Sequence, residues 1–302
     1  MESFRTVIDS EVRFSVSPDS PCPCGDGELA SRCCLTSAGF RKVPSPTAPP
    51  PPRTGTSLRQ CYAGLLADCG SRLSREHYIS ESLLRHLNRT NDLRVSGLPW
   101  LEDKEKVLPP GALVSRILCE RHNAALSPLD AIAVRLFQAF DETRAAGSGQ
   151  QLLYLFSGHD IERWLLKILC GIAYSKNLTL ETEADISIPK YWLDVLFGYA
   201  EFPDHQGLYV CNSRGHLFEG PHGLALRAIT GRGRLTGIGL WVCGYELILS
   251  MSGFPSRIFD GRQFAYRPLE LYTTGLEFEK SIMFSWDGEA DLGTVSLEIG
   301  GT

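Results

Sequence analysis

The sequence predicts an α+β chain in three folded parts: a small cysteine-rich N-terminal module, a central domain of strands and helix, and a C-terminal mixed domain with a mostly antiparallel sheet. Three observations predict it. Seven of the ten cysteines fall within the first 119 residues. Residues 44–52, with six prolines, separate the first four cysteines from the others. Beyond about residue 205, short β-favouring runs (LYVCN, IGLWVCG, YELILSM, TVSLEI) are separated by Gly, Pro, Asn and Asp. The expected bounds are 1–43 for the module, 44–58 for a Pro-rich linker, 59–150 for the central domain and 151–302 for a helix-then-β-rich domain.

Composition narrows the class. The chain has 302 residues, 43% hydrophobic and 22% charged, as in ordinary folded proteins. No apolar run reaches the roughly 18 residues of a membrane span, so no membrane partner is expected. The opening MESFRTVIDSEVRF lacks the apolar core of a secretory signal, and a cytoplasmic location is the expectation. Residues 1–150 carry 18 Lys/Arg and 17 Asp/Glu, whereas residues 151–302 carry 12 and 18. This asymmetry permits a nucleic-acid partner without demanding one.

In chain order, Cys22-Pro-Cys24 is followed by Cys33-Cys34. Clustered thiols in a reducing compartment point to metal rather than disulfides. Four thiolates within thirteen residues can surround one Zn²⁺, leaving no open position, so the role is structural or docking. So short a peptide has no core of its own, and metal binding would supply its folding energy. The run PCPCGDGELASRCC resembles the SEC-C zinc-binding motif, with Glu28, Leu29 and Ala30 where that motif is usually Lys-rich with an aromatic. The proline run that follows reads as an extended, semi-rigid spacer.

The next set is Cys61, Cys69 and Cys119-Glu-Arg-His122, a potential Cys3His site. The wide spacing of the first pair leaves open that one of them is a buried thiol. Between the pairs lies Glu76-His77, and Asn123 directly follows the second pair. Alone, Glu76-His77 reads as the start of a surface helix and Asn123 as a helix-start residue. The order Cys…Cys…Glu-His…Cys-x-x-His-Asn resembles the HNH (ββα-metal) endonuclease family, in the zinc-stapled branch that includes phage T4 endonuclease VII. The resemblance covers about residues 61–130. It implies a DNA-cutting enzyme in which His77 is the general base, Glu76 and Asn123 are oxygen ligands of a catalytic Mg²⁺ or Mn²⁺, and a separate structural zinc is held by Cys61, Cys69, Cys119 and His122. His122 could instead serve the catalytic ion. Two structural zinc sites are therefore expected.

The chemistry is self-consistent. A near-neutral imidazole can take a proton from water, and a hard divalent ion on oxygen ligands stabilises the leaving oxygen. Arg72, Arg75, Arg85, Arg89 and Arg94 are candidate phosphate contacts or a solvated face. The forty-five residues from His77 to Asn123 imply an inserted arm over 88–112. The competing class is a zinc-stabilised binding module, for nucleic acid or protein, whose HNH core does not cut. Architecture alone suggests a third reading: a genome or phage defence protein whose β-rich half is its sensor or assembly unit. A protein partner would then meet the N-terminal module or the C-terminal domain.

Ser127-Pro128-Leu129-Asp130 reads as a helix start, with Ile132, Leu136, Phe137 and Phe140 on one face and Gly147-Ser148-Gly149 as the stop. Asp160 is expected to cap a second helix, with Ile161, Trp164, Leu165, Ile168, Leu169 and Ile172 as its apolar face. Residues from 151 should start helical. His86 is expected at the surface. His159, His205, His216 and His222 lack ligand spacing. Cys170, Cys211 and Cys243 read as buried thiols. Gly231-Arg-Gly-Arg-Leu-Thr-Gly237 lacks the strand–loop–helix context of a P-loop and reads as a hairpin turn.

Overall fold

The computed structural model describes residues 16–77, 79–87, 94–95, 106–107, 114–145, 150–175, 188–212, 225–231, 234–253, 258–259, 262–274, 278–288, 290 and 293–298. It is a mixed α+β structure with few helices among the described residues. In the N-terminal module, β1 (Leu35–Thr36) and β2 (Gly39–Phe40) form a short hairpin behind a 3₁₀ turn at Ala30–Arg32. The four cysteines pack with Leu155, Met283 and Phe40. The module is clipped to the body: Leu155 N–H donates to the Pro23 carbonyl at 3.1 Å, and Arg135 Nη2 donates to the same oxygen at 2.6 Å. Gly25 has φ +76°, and a Cβ there would stand 3.0 Å from the Arg135 guanidinium. Any side chain would thus strain the turn and loosen the clip.

The proline-rich segment does not behave as the expected spacer. Ser45 N–H donates to both Asp160 carboxylate oxygens (2.9 and 3.1 Å), Thr47 is buried, and the Pro50 and Pro52 carbonyls accept from Arg121. Extended polyproline backbone has no internal hydrogen bonds. Here its free groups find partners on the body instead.

The central part starts with a 3₁₀ turn at Tyr62–Leu66. Then come β3 (Leu73–His77), α1 (Glu81–Leu87), β4 (Arg94–Val95), β5 (Lys106–Val107), β6 (Val114–Cys119) and α2 (Glu120–Ala145). β3 pairs antiparallel with β6, with a bulge between Ser74 and Glu76, and β6 runs directly into α2. β4 and β5 pair antiparallel within the stretch expected as an inserted arm, most of which lies outside the described residues.

α2 begins seven residues before the expected start at Ser127. Cys119 and His122 turn toward one cluster, which fixes the first helical turn at Glu120, where the backbone N–H donates to the Arg72 carbonyl (3.0 Å). Pro128 thus lies inside the helix and offers no N–H to the Ala124 carbonyl. The Ser127 hydroxyl donates to that carbonyl instead, at 2.8 Å. The expected glycine stop at 147–149 lies outside the described residues.

Residue 151 does not open a helix. β7 (Gln150–Ser157) comes first, and then α3 (Gly158–Tyr174). The capping side chain is Ser157, whose hydroxyl accepts from Asp160 N–H; Asp160 sits in the first turn. The expected apolar face of α3 is buried, and so are Glu162, Arg163 and Lys167, because α3 is enclosed on all sides. α4 (Lys190–Leu196) follows. His86 is also buried, against Asp141 of α2, rather than at the surface.

The remaining strands are β8 (Gly207–Asn212), β9 (Ala225–Gly231), β10 (Arg234–Val242), β11 (Tyr245–Ser250), β12 (Ile258–Phe259), β13 (Arg262–Gln263), β14 (Ala265–Tyr266), β15 (Glu270–Thr274), β16 (Phe278–Ser285) and β17 (Thr294–Glu298). One sheet, ordered β14-β8-β11-β10-β9, is antiparallel throughout. The other, β17-β15-β16-β7, joins β15 to β16 antiparallel but β15 to β17 and β16 to β7 parallel. Two of its three pairings are parallel, so the second sheet departs from the mostly antiparallel expectation. Gly231 pairs with Arg234, so the Gly231–Gly237 run is a hairpin. Cys170 and Cys211 are buried, whereas Cys243 is partly exposed at a turn with φ +48°. One continuous apolar core runs from Cys61 to Val295, so the central and C-terminal parts share it. Among the described residues no helix is long and apolar enough to cross a membrane.

Candidate metal centre and adjoining cleft

Two Cys/His groups could each hold a metal ion: Cys22, Cys24, Cys33 and Cys34; and Cys61, Cys69, Cys119 and His122. In each, the ligand atoms all lie within 4.8 Å of one another. In the second, His122 Nδ1 is 3.6 Å from Cys61 Sγ, 3.8 Å from Cys69 Sγ and 3.1 Å from Cys119 Sγ. A tetrahedral zinc with ordinary bond lengths puts S and N ligands about 3.5 Å apart, so the donor set fits. All four are buried, and the His122 ring packs 4.9 Å from that of Phe197. Both Cys61 and Cys69 belong to the group. His122 falls with the thiols rather than in the neighbouring cleft.

The local sequence explains how a seven-residue gap closes. After Cys61 the chain makes the 3₁₀ turn, and Ala67 adopts a left-handed conformation (φ +51°) that swings Cys69 back. A Cβ on Gly64 would stand 2.6 Å from the Leu58 carbonyl oxygen, so only glycine fits there. Asp68 is the brace: it accepts from Thr54 N–H (2.8 Å) and from Arg121 (3.1 and 3.2 Å), and Arg121 also donates to the Pro50 and Pro52 carbonyls.

Electrostatics favour a thiolate. Cys119 is drawn down to about 3, chiefly by the hydrogen bond from Cys61 and then, against burial, by His122 and the Gly70 and His122 N–H groups. Cys61 is pushed up by its Cys119 neighbour and by burial. In the first group Cys24 Sγ is 3.3 Å from Cys33 Sγ, and Cys33 Sγ is 3.5 Å from Cys34 Sγ, far longer than a disulfide. Zinc analysis of the purified chain is expected to give two ions, and Cys24→Ser to give one; an unchanged count in that variant would sink the first site.

Beside the Cys3His group a cleft of about 370 Å³ is lined by Glu76, His77, Ser80, Asn123, Ser127 and Asp130. β3 supplies the first two and α2 the last three, so the β3–β6 pair and the helix bring distant sequence positions together. Asn123, Ser127 and Asp130 follow the i, i+4, i+7 rule of one helix face. His77 Nδ1 lies 3.8 Å from Glu81 Oε2, and its buried Nε2 has no hydrogen-bond partner among the described residues. Burial holds its imidazole below the usual range, so the neutral form is favoured. No family model matches this chain. Neither a curated protein nor a solved structure matches it either.

The other expected residues are placed as follows. Glu76 is buried, and its Oε1 is 2.8 Å from Lys167 Nζ of α3, in an ion pair that lacks hydrogen-bond alignment. Asp130 accepts from the same ammonium at 2.7 and 2.8 Å. In the sequence Asp130 stood out only as part of a helix start and Lys167 not at all; the signal for Asp130 was its seven-residue spacing from Asn123 on one helix. Glu76 therefore does not fit as a ligand of Mg²⁺ or Mn²⁺, because an ammonium fills the space beside its carboxylate. Arg75 is exposed and lines the cleft. Arg72 pairs with Glu120 at 3.3 Å and Arg85 with Glu81 at 2.6 Å, both on the exposed surface. Arg89 lies outside the described residues, as does the side chain of Arg94.

Proposed function

We propose that the chain is an HNH-type endonuclease that hydrolyses DNA phosphodiester bonds in this cleft. The observation that carries the reading is the convergence of His77 and Asn123, 46 positions apart, on one cavity beside a Cys3His group. In this reading the Cys3His group holds structural zinc and fixes the end of β6 and the first turn of α2. Neutral His77 accepts the proton of the attacking water, Asn123 orients the phosphate, and exposed Arg75 offsets its charge.

Supercoiled plasmid incubated with the purified chain in Mg²⁺ or Mn²⁺ buffer is expected to be nicked or linearised. His77→Ala should slow that cutting by about 10²–10⁴-fold, the usual worth of a general base. Equal rates for the two proteins would end the proposal. A second reading, a DNA-binding module with a non-cutting core, is favoured by the Glu76–Lys167 pair. Gel shifts without cleavage in any metal would select it.

A further inference from the structure

We propose that the ammonium of Lys167 is the built-in cation of the cleft: a positioning residue seated between Glu76 and Asp130, where a divalent ion would otherwise lie, that removes Glu76 from metal ligation. The inference rests on the cleft being the working site, and its test reads metal binding rather than cleavage.

Two carboxylates from different elements, β3 and α2, converge on the buried lysine, Glu76 itself buried and Asp130 half-buried at the cleft wall. Like charges so placed repel unless a cation stands between them. Nζ of Lys167 does so, with one Glu76 oxygen at 2.8 Å and the two Asp130 oxygens at 2.7 and 2.8 Å. The lysine is 2% exposed and arrives from α3, which packs behind the cleft. Ser80 Oγ donates to Asp130 Oδ1 at 2.5 Å, so that carboxylate is held from a third side. A small divalent ion demands oxygens at about 2.0–2.1 Å in octahedral array. An ammonium and such an ion cannot share this position, because their charges repel and Nζ already takes up the carboxylate oxygens. Lys167 thus stands behind the residues that line the cleft and offsets one of the two carboxylate charges there, while His77 and Asn123 stay outside that ion-pair set.

The test is Mn²⁺ titration of the purified, zinc-loaded full chain, followed by the paramagnetic resonance of free Mn²⁺. Lys167→Met leaves Glu76 and Asp130 facing each other and is expected to create a Mn²⁺ site at least about tenfold tighter than any in the parent protein. Glu76→Gln, which keeps the Asp130–Lys167 pair, is expected to leave the parent's Mn²⁺ affinity unchanged. A tenfold loss of Mn²⁺ affinity in Glu76→Gln would make Glu76 a ligand and overturn the proposal, as would a folded Lys167→Met with no new site. Should Lys167→Met not fold, the Glu76→Gln comparison decides alone. Cleavage plays no part in this readout, so a failed nuclease reading and a failed cation assignment are told apart.

Discussion

A Cys119→Ser protein is expected to lose one zinc per chain and its cooperative unfolding transition. Cys119 ends β6, its sulfur accepts from the Gly70 and His122 N–H groups, and it is the ligand nearest His122 Nδ1. The Cys3His group ties the 3₁₀ turn, β6 and α2 into one knot, and Cys61, Cys69 and Cys119 are part of the main apolar core. Zinc in small finger domains contributes about 10–16 kcal/mol of apparent binding free energy. Whole domains are stable by only about 5–15 kcal/mol. A serine oxygen is a poor substitute for thiolate, so most of the folding free energy of the central part is at risk. Metal analysis together with thermal unfolding checks this. A variant that keeps both ions, or melts cooperatively near the parent's midpoint, would refute it.

The second large effect lies away from the cleft. Glu162 of α3 is fully buried and accepts from Leu208 N–H (2.9 Å), from Arg267 Nε (2.7 Å) and from Arg267 Nη2 (3.1 Å). His159 Nδ1 lies 3.3 Å from Glu162 Oε2, and Nε2 of that histidine lies 3.0 Å from the N–H and 3.1 Å from the carbonyl of Asp287. One carboxylate therefore joins α3 to the start of β8 and to the segment between β14 and β15. Glu162→Ala strips a buried guanidinium of its carboxylate, a loss worth about 3–5 kcal/mol. Replacing both partners, as Glu162→Leu with Arg267→Met, should recover much of that loss, because desolvating the pair offsets most of its attraction. Urea unfolding of the three proteins measures it; a double variant no more stable than Glu162→Ala would count against this account.

The metal groups were legible in the sequence because ligand chemistry depends on residue type and spacing, and both are written in the chain. The strands beyond residue 205 were legible for a similar reason: their alternating or fully apolar runs are local. What the sequence hid was long-range. Pro128 looked like a helix start because a proline lacks one N–H, yet the Ser127 hydroxyl supplies the missing donor and the helix runs through. β7 was hidden because its partner, β16, lies more than a hundred residues downstream. Glu76 looked free to bind a metal, since nothing local announced that Lys167 would reach it from α3. His86 looked like a surface residue for the same reason, its partner Asp141 lying 55 positions away. The proline run carried the composition of a tether, but Asp160 and Arg121 grip its backbone, and backbone groups leave no trace in composition.

α2 carries a ligand of one thiol cluster near its start, at His122, and a clamp on the other at Arg135, thirteen residues and about 20 Å along the same rod. Each residue added to such a rod turns everything beyond it by about 100°. A single insertion between those two positions would leave one end in register and swing the other off its seat. Natural length variation should therefore spare the stretch of α2 between His122 and Arg135.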